Sequence, residues 1–496
     1  MSYAGGFSGP GRAGLVVALV LVGVASAGAT MLLGVLPTDM AAGAAVGLIT
    51  VLVSIPLLLR AVSREIDPVV RRIILAAFAL KLLAMVALYY ISFVVYGGVA
   101  DAQSYAEWGA ALAPEFRNLH FAPDLGRPLV GTGFVRYVTG LVFVITGPTI
   151  FGGFIVFSWF AYWGLYGFLR AFQISFPDAD HRRYAALVML VPTMLFWPSS
   201  IGKEALVVAG LGLGTFGAAR LFQRSLTGWP LVATGALLIG MIRPHVAAVF
   251  LAAAAAGFLF RGHGHEGRRP LFGPAGQLLG LALFAVVAIG AVRYTESHFG
   301  LEESTTSGNV TALLDETTER TERGGSEFDH ETVSSPLDMP GAAMTVLFRP
   351  WPHEAENPQQ LLTSFESLIL LGVAMFSWRR ILAGLRRVAT IPLLRMSFAF
   401  TLLFIFAFSA VGNFGILARQ RAQVLPFALV FLALPYAIPR RRSTPGVPHI
   451  EAKPEDVSHF PGALTAPPLG KGNEALDPAS NPAEPTPPGS DEVRRR

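Results

Sequence analysis

The chain has 496 residues, of which 53% are hydrophobic and only 14% are charged, and its mean hydropathy is +0.53. These values exclude an ordinary soluble domain and indicate a multi-pass membrane protein. The formal charge of +5 is not a nucleic-acid signature, because most basic residues form short clusters beside apolar runs, where they set topology. The sequence has no cysteine, so any chemistry falls to carboxylate, Lys, Arg, His or hydroxyl groups.

The first part of the chain predicts three membrane spans. A short cytoplasmic tail at residues 1–12 precedes apolar runs at residues 13–36, 40–59 and 73–96, each long enough to cross a bilayer. The second run follows the first at once, so the first is interpreted as an anchor and not as a cleaved signal peptide. Lys81 lies inside the third run and is interpreted as a side chain that can snorkel.

Residues 97–133 form a first outer loop that is too polar to span. Within it, Asp101 to Leu112 places alanine and aromatic residues at helical spacing. This pattern predicts a short helix that lies along the outer surface. Asp101 and Tyr105 are four residues apart and therefore share a face of that helix.

The next three apolar runs, at residues 134–145, 150–169 and 184–196, leave the number of crossings open, because the first and third are short. Further spans are predicted near Ala205, Trp229, Val246, Ala275, Leu361, Pro392 and Ala422. One orientation of the chain in the membrane places all the arginine clusters in the cytoplasm. It requires an odd number of full crossings among the three runs, so one of them is expected to be re-entrant or merged. The predicted fold is an all-α bundle of about 12–13 membrane segments within residues 13–438, with both termini cytoplasmic.

This orientation gathers the unusual polar motifs on the outer side. They are the stretches Asp101 to Trp108, Trp197 to Glu204, Arg243-Pro244-His245, residues 295–360 and Arg419-Gln420-Arg421. Arginines on the side that normally carries few basic residues need anionic partners, either protein carboxylates or a ligand. Guanidinium groups bind phosphate or carboxylate well, and a pyrophosphate needs more than one of them.

The long outer loop at residues 295–360 has two halves of different character. Residues 295–323 are rich in Thr, Glu and Ser and are expected to be mobile, as a lid whose closing part is the Gly-rich turn at 324–328 with Ser326. The second half brings Arg349, His353 and Glu354 between aromatic residues and prolines. Residues 439–496 are Pro-rich and are predicted to be a disordered cytoplasmic tail.

The order of these motifs resembles the polytopic polysaccharide polymerases and GT-C-type glycosyltransferases of bacterial envelopes, over most of residues 73–438. The resemblance implies an outward cavity at the plasma membrane for a sugar on polyprenyl phosphate or pyrophosphate. It also implies that Asp101 acts as a base or positions a metal, and that Lys203, Arg243, Arg419 and Arg421 contact phosphate. The chain departs from the GT-C pattern because no second acid adjoins Asp101 and no large soluble domain is present, which favours a polymerase.

The sequence thus predicts glycosyl transfer from a lipid-linked donor to a glycan or lipid acceptor, with Asp101 or Glu204 accepting the proton of the acceptor hydroxyl. The candidate substrate-binding residues are Tyr105, Lys203, Arg243, His245, Ser326, Arg349, His353, Glu354, Arg419 and Arg421. A divalent metal at Asp101 is an optional cofactor, since arginines can neutralise the same charge. The alternatives are a transporter or flippase for lipid-linked or anionic solutes, and a non-catalytic assembly protein whose polar groups are surface anchors.

Overall fold

The computed structural model describes residues 38–98, 101–259, 333, 335–409 and 411–436. Within these ranges the chain forms helices joined by turns and contains no strand. The predicted spans at 13–36 and near Ala275, the predicted lid with its turn, and the C-terminal tail lie outside the described residues.

The helices, in chain order, are α1 (Thr38–Ser63), α2 (Pro68–Tyr90), α3 (Asp101–Arg117), α4 (Phe134–Thr146), α5 (Ile150–Ser175), α6 (His181–Met189), α7 (Pro192–Phe196), α8 (Lys203–Phe222), α9 (Gly228–Gly240), α10 (Pro244–Leu259), α11 (Met339–Phe348), α12 (Pro358–Phe376), α13 (Trp378–Leu385), α14 (Pro392–Phe408), α15 (Phe414–Ala428) and α16 (Val430–Ala433). Most consecutive helices are joined by short connections, whereas the segment between α10 and α11 lies largely outside the described residues. A π-helical turn, Ile91–Val95, extends α2, and a kinked segment, Leu129–Gly133, with non-helical backbone at Val130 and Gly131, precedes α4.

The all-helical, multi-pass character predicted from the sequence is confirmed at this coarse level. In the described part of the chain, six helical segments are long and apolar enough to cross a membrane by length and composition. They are Asp39–Ser63, Pro68–Val95, Leu129–Thr146, Ile150–Ser175, Lys203–Phe222 and Pro358–Phe376. Several shorter apolar helices, among them α9, α10 and α14, pack between them.

Local sequence signals explain where several helices begin. Pro68 opens α2, where the missing N–H costs nothing, and the Asp67 carboxylate accepts the Val69 N–H at 2.8 Å. The Asn413 side chain accepts the Ile416 N–H in the first turn of α15 at 3.1 Å. This cap fixes the direction of the helix that carries the predicted arginine motif.

One end of the bundle, here called the site end, is held together by Asp39. Its carboxylate accepts a hydrogen bond from the Tyr89 hydroxyl at 3.2 Å and from the Ile150 N–H at 2.7 Å. The start of α1, the end of α2 and the start of α5 therefore meet there. The start of α8 joins them, because the Ile201 side chain lies directly against Gly153.

The opposite end, here called the arginine end, collects basic side chains. Its contacts are Arg170–Glu65 (3.0 Å), Arg182–Asp67 (2.5 Å), Arg380–Asp180 (3.6 Å) and Arg387 with the Pro435 carbonyl (3.2 Å). The hydrogen bond from Arg182 holds the pKa of Asp67 below its ordinary value. Clusters that are far apart in sequence thus meet at one end, as the predicted single orientation requires.

The three ambiguous apolar runs behave differently from one another. Helix α5 runs from the site end to the arginine end. Helix α4 does not, because the Gly131 N–H before it donates to the Met241 carbonyl at 2.8 Å, and Thr149 after it donates to the Asp39 carbonyl at 2.9 Å. The third run is broken into α6 and α7, since Pro192 disfavours helical backbone at the residue before it.

Close backbone packing fixes α8 at the centre of the bundle. A Cβ at Gly164 would lie 2.5 Å from the Val208 carbonyl oxygen, so α5 and α8 touch through their backbones. A Cβ at Gly235 of α9 would lie equally close to the Gly210 oxygen on the other side of α8. Small residues allow this close approach, which is a common device where helices pack in membranes.

Two predicted elements differ in the structure. The segment predicted as outer loop contains α11, whose Val346 is fully buried against neighbouring helices, because a ten-residue apolar run is too short to be recognised as a span. Helix α3 extends beyond the predicted range to Arg117. It does not lie free on the surface but packs along α4, with Gly109 against Thr139.

Candidate functional site

A cavity of about 750 Å³ lies at the site end of the bundle. Its walls come from the ends of α2, α3, α8, α12 and α15, from the 197–202 stretch and from the turn before α10. The ionisable and aromatic residues that line it are Tyr96, Asp101, Tyr105, Trp197, Lys203, Glu204, Arg243, Phe414 and Arg419. Segments that are more than 300 positions apart in sequence thus contribute to one site.

The cavity brings together most of the residues that the sequence analysis singled out. Asp101 and Tyr105 lie on the first turns of α3, and Lys203 and Glu204 are the first two residues of α8. Arg243 stands directly before α10, and Arg419 lies on α15. Their grouping was expected from topology alone; the chemical role of each remains a prediction.

Arg243 is tied into a buried network on one wall. Its Nη2 atom lies 2.8 Å from Oε1 of Glu204, and its Nη1 donates to the side-chain oxygen of Gln420. The Gln423 amide donates to the same oxygen. Both side chains of the ion pair are largely screened from solvent. Because a charge is costly to bury alone, each side chain needs the opposite charge of the other. Arg243 and Glu204 therefore form a fixed, nearly neutral wall.

Lys203 and Arg419 are the cations that the described protein leaves available. Lys203 has no hydrogen bond or ion pair with any described residue, although it is only partly exposed. Arg419 is exposed, and its guanidinium lies 5.6 Å from the centre of the Trp197 ring, a cation–π contact that leaves its N–H groups free to donate. These two side chains give the cavity its capacity for an anion.

Asp101 faces the same space with a neighbouring phenol. The Asp101 side chain is exposed and has no hydrogen bond or salt bridge among the described residues, whereas Tyr105 is 5% exposed. Burial raises the pKa of Tyr105 to about 12, and the charges of Asp101 and Glu204 add to this effect. Tyr105 thus stays neutral and can donate a hydrogen bond into the cavity, and the Asp101 carboxylate is free to accept one.

The residues around the cavity do not fit a divalent metal. The described lining residues carry two carboxylates, Asp101 and Glu204, and Arg243 already occupies an oxygen of Glu204. No group of three or more His, Asp or Glu residues that could hold a metal occurs in the described ranges. Mg²⁺ and similar ions prefer several oxygen ligands, so Asp101 alone gives a poor site.

Arg349 and Glu354 form a separate pair beside the cavity. The Arg349 Nη2 lies 2.5 Å from Glu354 Oε1, and the guanidinium packs over the Phe414 ring at 5.3 Å. Burial acts to raise the pKa of Glu354, but the hydrogen bonds from Arg349 and from the Trp351 N–H hold it below its ordinary value. Neither residue lines the cavity, and the exposed His353 does not line it either.

Arg421 and His245 also lie outside the cavity wall. Arg421 is completely buried, and its guanidinium donates to the Ser367 hydroxyl at 2.7 Å and to the Arg349 carbonyl. Two residues that are two positions apart on a helix point in nearly opposite directions, so Arg419 and Arg421 cannot both face the cavity. The His245 ring packs near Phe408, with ring centres 6.0 Å apart. Ser326 lies outside the described residues.

The sequence analysis overlooked several polar residues at the site. Gln420 lies between the two arginines of a motif that was recognised, yet it supplies the acceptor for Arg243. The uncharged residues Asn357, Gln359, Gln360 and Thr363 line the cavity from the start of α12. Neutral side chains at a helix start are common, so no sequence signal separated these from ordinary caps.

Searches with protein-family models, among curated proteins and among solved structures found no match to this chain. Any proposal for the function therefore rests on the chemistry of the cavity.

Proposed function

We propose that the protein is an integral membrane glycosyltransferase or polysaccharide polymerase of the bacterial cell envelope. It uses a sugar linked to polyprenyl phosphate or pyrophosphate at the outer face of the plasma membrane. In this proposal the site end faces outward and the arginine end faces the cytoplasm, in agreement with the positive-inside rule. The acceptor is a glycan or another lipid-linked sugar.

The observation that carries the proposal is that one cavity holds Lys203 and Arg419, two cations with no ion pair among the described residues, together with the carboxylate of Asp101. The bond between the anomeric carbon and the phosphate oxygen breaks, and its electron pair stays on the phosphate, whose charge the two cations stabilise. The acceptor hydroxyl oxygen bonds to the anomeric carbon and gives its proton to Asp101. Glu204 is the weaker candidate base because Arg243 engages it.

The surroundings of the cavity suit a donor with a lipid chain. Its wall includes Ile91 and Tyr96 at the end of α2 and Gln359 at the start of α12, where the Tyr96 hydroxyl reaches the Gln359 side-chain oxygen at 3.4 Å. Immediately outside, both helices expose large apolar side chains, including Val95 and Leu362. A lipid chain can lie against these faces while its phosphate occupies the cavity, since such surface belongs in hydrocarbon.

The second candidate is a transporter or flippase for the same anionic lipids. The observation that raises it is the break between α6 and α7. Interrupted helices often form the binding sites of transporters, where the exposed helix ends hold solute or coupling ions. Here the two ends of α7 are already hydrogen-bonded to Lys81 and Glu366. This favours the enzyme.

Detergent separates the two functions, because transport needs a sealed membrane and glycosyl transfer does not. The purified full-length protein is mixed in detergent with radiolabelled lipid-linked sugars extracted from its own host. An enzyme moves label into longer glycan, and Asp101→Asn abolishes this transfer. If the wild-type protein transfers no label in detergent but moves labelled lipid across sealed vesicles, the enzyme assignment is wrong.

A further inference from the structure

Helix α7 is a five-residue helix inside the bundle, and it leads directly into the wall of the cavity. Residues 192–196 form the helix, and the stretch from Trp197 to Gly202 that follows contributes four lining residues before Lys203. A helix this short leaves most of its N–H and C=O groups without internal partners. In surroundings without water, such groups need partners from elsewhere in the protein.

The first partner is Glu366 of α12, at the start of α7. Its carboxylate accepts the Thr193 N–H through both oxygens, at 3.2 and 3.0 Å. Glu366 is 9% exposed, so this backbone contact accounts for an otherwise costly buried acid. The hydroxyl of the neighbouring Ser367 accepts a hydrogen bond from Arg421, and this bond links α12 to α15 beside the Glu366 contact.

The second partner is Lys81 of α2, at the end of α7. Its Nζ donates to the Met194 carbonyl at 3.1 Å and to the Leu195 carbonyl at 3.0 Å. Lys81 is 1% exposed, so it does not snorkel as the sequence suggested. The Ser199 hydroxyl also donates to the Leu195 carbonyl, at 2.5 Å, and thereby ties the cavity stretch to the same oxygen.

We propose that Lys81 and Glu366 are positioning residues that clamp α7 from its two ends and so set the place of the 197–202 stretch. A donor from α2 meets the carbonyl end, and an acceptor from α12 meets the N–H end. The two helices that bound the proposed lipid path therefore also hold the element that carries Trp197 and leads to Lys203. The clamp itself is independent of the proposed function, whereas its effect on substrate rests on that function.

The sequence has no cysteine, so spin labels attach only to cysteines that are introduced. The effect of the clamp can therefore be measured as a distance between two labels. Ser92 on the π-helical end of α2 and Ser200 in the cavity stretch both line the cavity. Spin labels on Ser92→Cys and Ser200→Cys in the full-length protein in nanodiscs report the distance between α2 and the stretch. Adding Lys81→Met is expected to shift or broaden this distance distribution. Glu366→Gln, which keeps one acceptor oxygen, is expected to change it less than Glu366→Leu.

Tyr162→Phe is the matched control, because the buried Tyr162 hydroxyl donates to the Ile74 carbonyl of α2 at 2.9 Å and makes no hydrogen bond to the described residues of α7. It removes one buried hydrogen bond and is expected to leave the label distance unchanged. An unchanged distance in folded Lys81→Met, or an equal change in Tyr162→Phe, overturns the clamp. If Lys81→Met does not fold, the two Glu366 variants test the clamp. A larger change of the label distance in Glu366→Leu than in Glu366→Gln supports it, and an unchanged distance in folded Glu366→Leu overturns it.

Binding of undecaprenyl phosphate separates the clamp from the proposed function. We expect about tenfold weaker binding in Lys81→Met and unchanged binding in Tyr162→Phe, since losing the position of the 197–202 stretch costs roughly one charge-assisted contact. A shifted label distance with no binding by the wild-type protein keeps the clamp and rejects the proposed lipid substrate. A shifted distance with full affinity means that α7 does not position the phosphate site.

Discussion

Nη2 of Arg243 lies 2.8 Å from Oε1 of Glu204, and these residues are 39 positions apart in the sequence. This ion pair divides the charges of the cavity into two kinds. Arg243 is compensated by protein, whereas Lys203 and Arg419 have no carboxylate within bonding distance among the described residues. In the proposed function these two cations, and not the total number of arginines, therefore set how well the cavity can hold a phosphate.

Breaking this pair is expected to destabilise the protein strongly. Arg243→Met leaves Glu204 buried without its partner, a change that typically costs about 3–5 kcal/mol. The thermal midpoint of Arg243→Met should lie well below that of Arg419→Met, which removes an exposed guanidinium whose contact among the described residues is the Trp197 ring. Equal stability of the two variants would mean that the Arg243–Glu204 contact does not hold the wall.

Asp101 is expected to act in turnover and not in binding. Loss of a general base typically lowers the rate by about 10²–10⁴-fold, so Asp101→Asn should reduce kcat on this scale with little change in KM. Glu107→Gln is the control, because Glu107 is an exposed carboxylate on the same helix that contacts Gln103. A normal kcat in Asp101→Asn would mean that Asp101 is not the general base.

The Arg349–Glu354 pair predicts a pH-dependent contribution to stability. The pKa of Glu354 is lower in the folded protein than its ordinary value of 4.5, so the carboxylate stabilises the fold above that value. The contribution is lost as the pH falls through the folded pKa. The difference in thermal midpoint between wild type and Glu354→Gln should therefore be present at pH 7 and shrink in acid.

Glu115→Gln provides the comparison for this experiment, since Glu115 is an exposed acid whose partner is His120. Its difference from wild type at pH 7 should be small, as for other exposed pairs. A Glu354→Gln difference that stays constant from pH 7 down to about pH 3 contradicts a depressed pKa.

Arg421 is expected to support structure without touching the substrate. Arg421→Met leaves the Ser367 hydroxyl and the Arg349 carbonyl without their buried donor, which should lower the thermal midpoint. The folded fraction should keep its affinity for undecaprenyl phosphate within about twofold, well under the tenfold that one charge-assisted contact supplies. A loss of affinity as large as that of Lys203→Met would restore Arg421 as a substrate contact.

The sequence predicted the helical bundle and the grouping of the cavity residues because the cost of burying a charge can be judged from the apolar residues beside it in the chain. Charged residues beside apolar runs must lie at boundaries or in polar spaces, and topology then places Asp101, Lys203 and Arg419 on one side. The pairing of Arg243 with Glu204 and Gln420 depends on how α8, α10 and α15 pack. No spacing along the chain encodes that packing.

Two placements differ from those the sequence suggests, for different physical reasons. Arg419 lines the cavity and Arg421 is buried behind it, because helical geometry turns residues two positions apart to different faces. The sequence predicts that Lys81 can snorkel, because a single lysine inside an apolar run carries no information about which group it binds. The carbonyls that it binds lie 113 and 114 positions further along the chain, in the short helix α7 that begins at Pro192.

The most direct measurement is the affinity of the full-length protein in nanodiscs for undecaprenyl phosphate, compared between wild type and the double variant Lys203→Met with Arg419→Met. Each charge-assisted contact is worth about 1.5–3 kcal/mol, so binding should weaken by roughly 100-fold or more, while Arg182→Met at the arginine end should bind as wild type does. Equal affinity of the double variant and the wild type would contradict a phosphate site between these two cations.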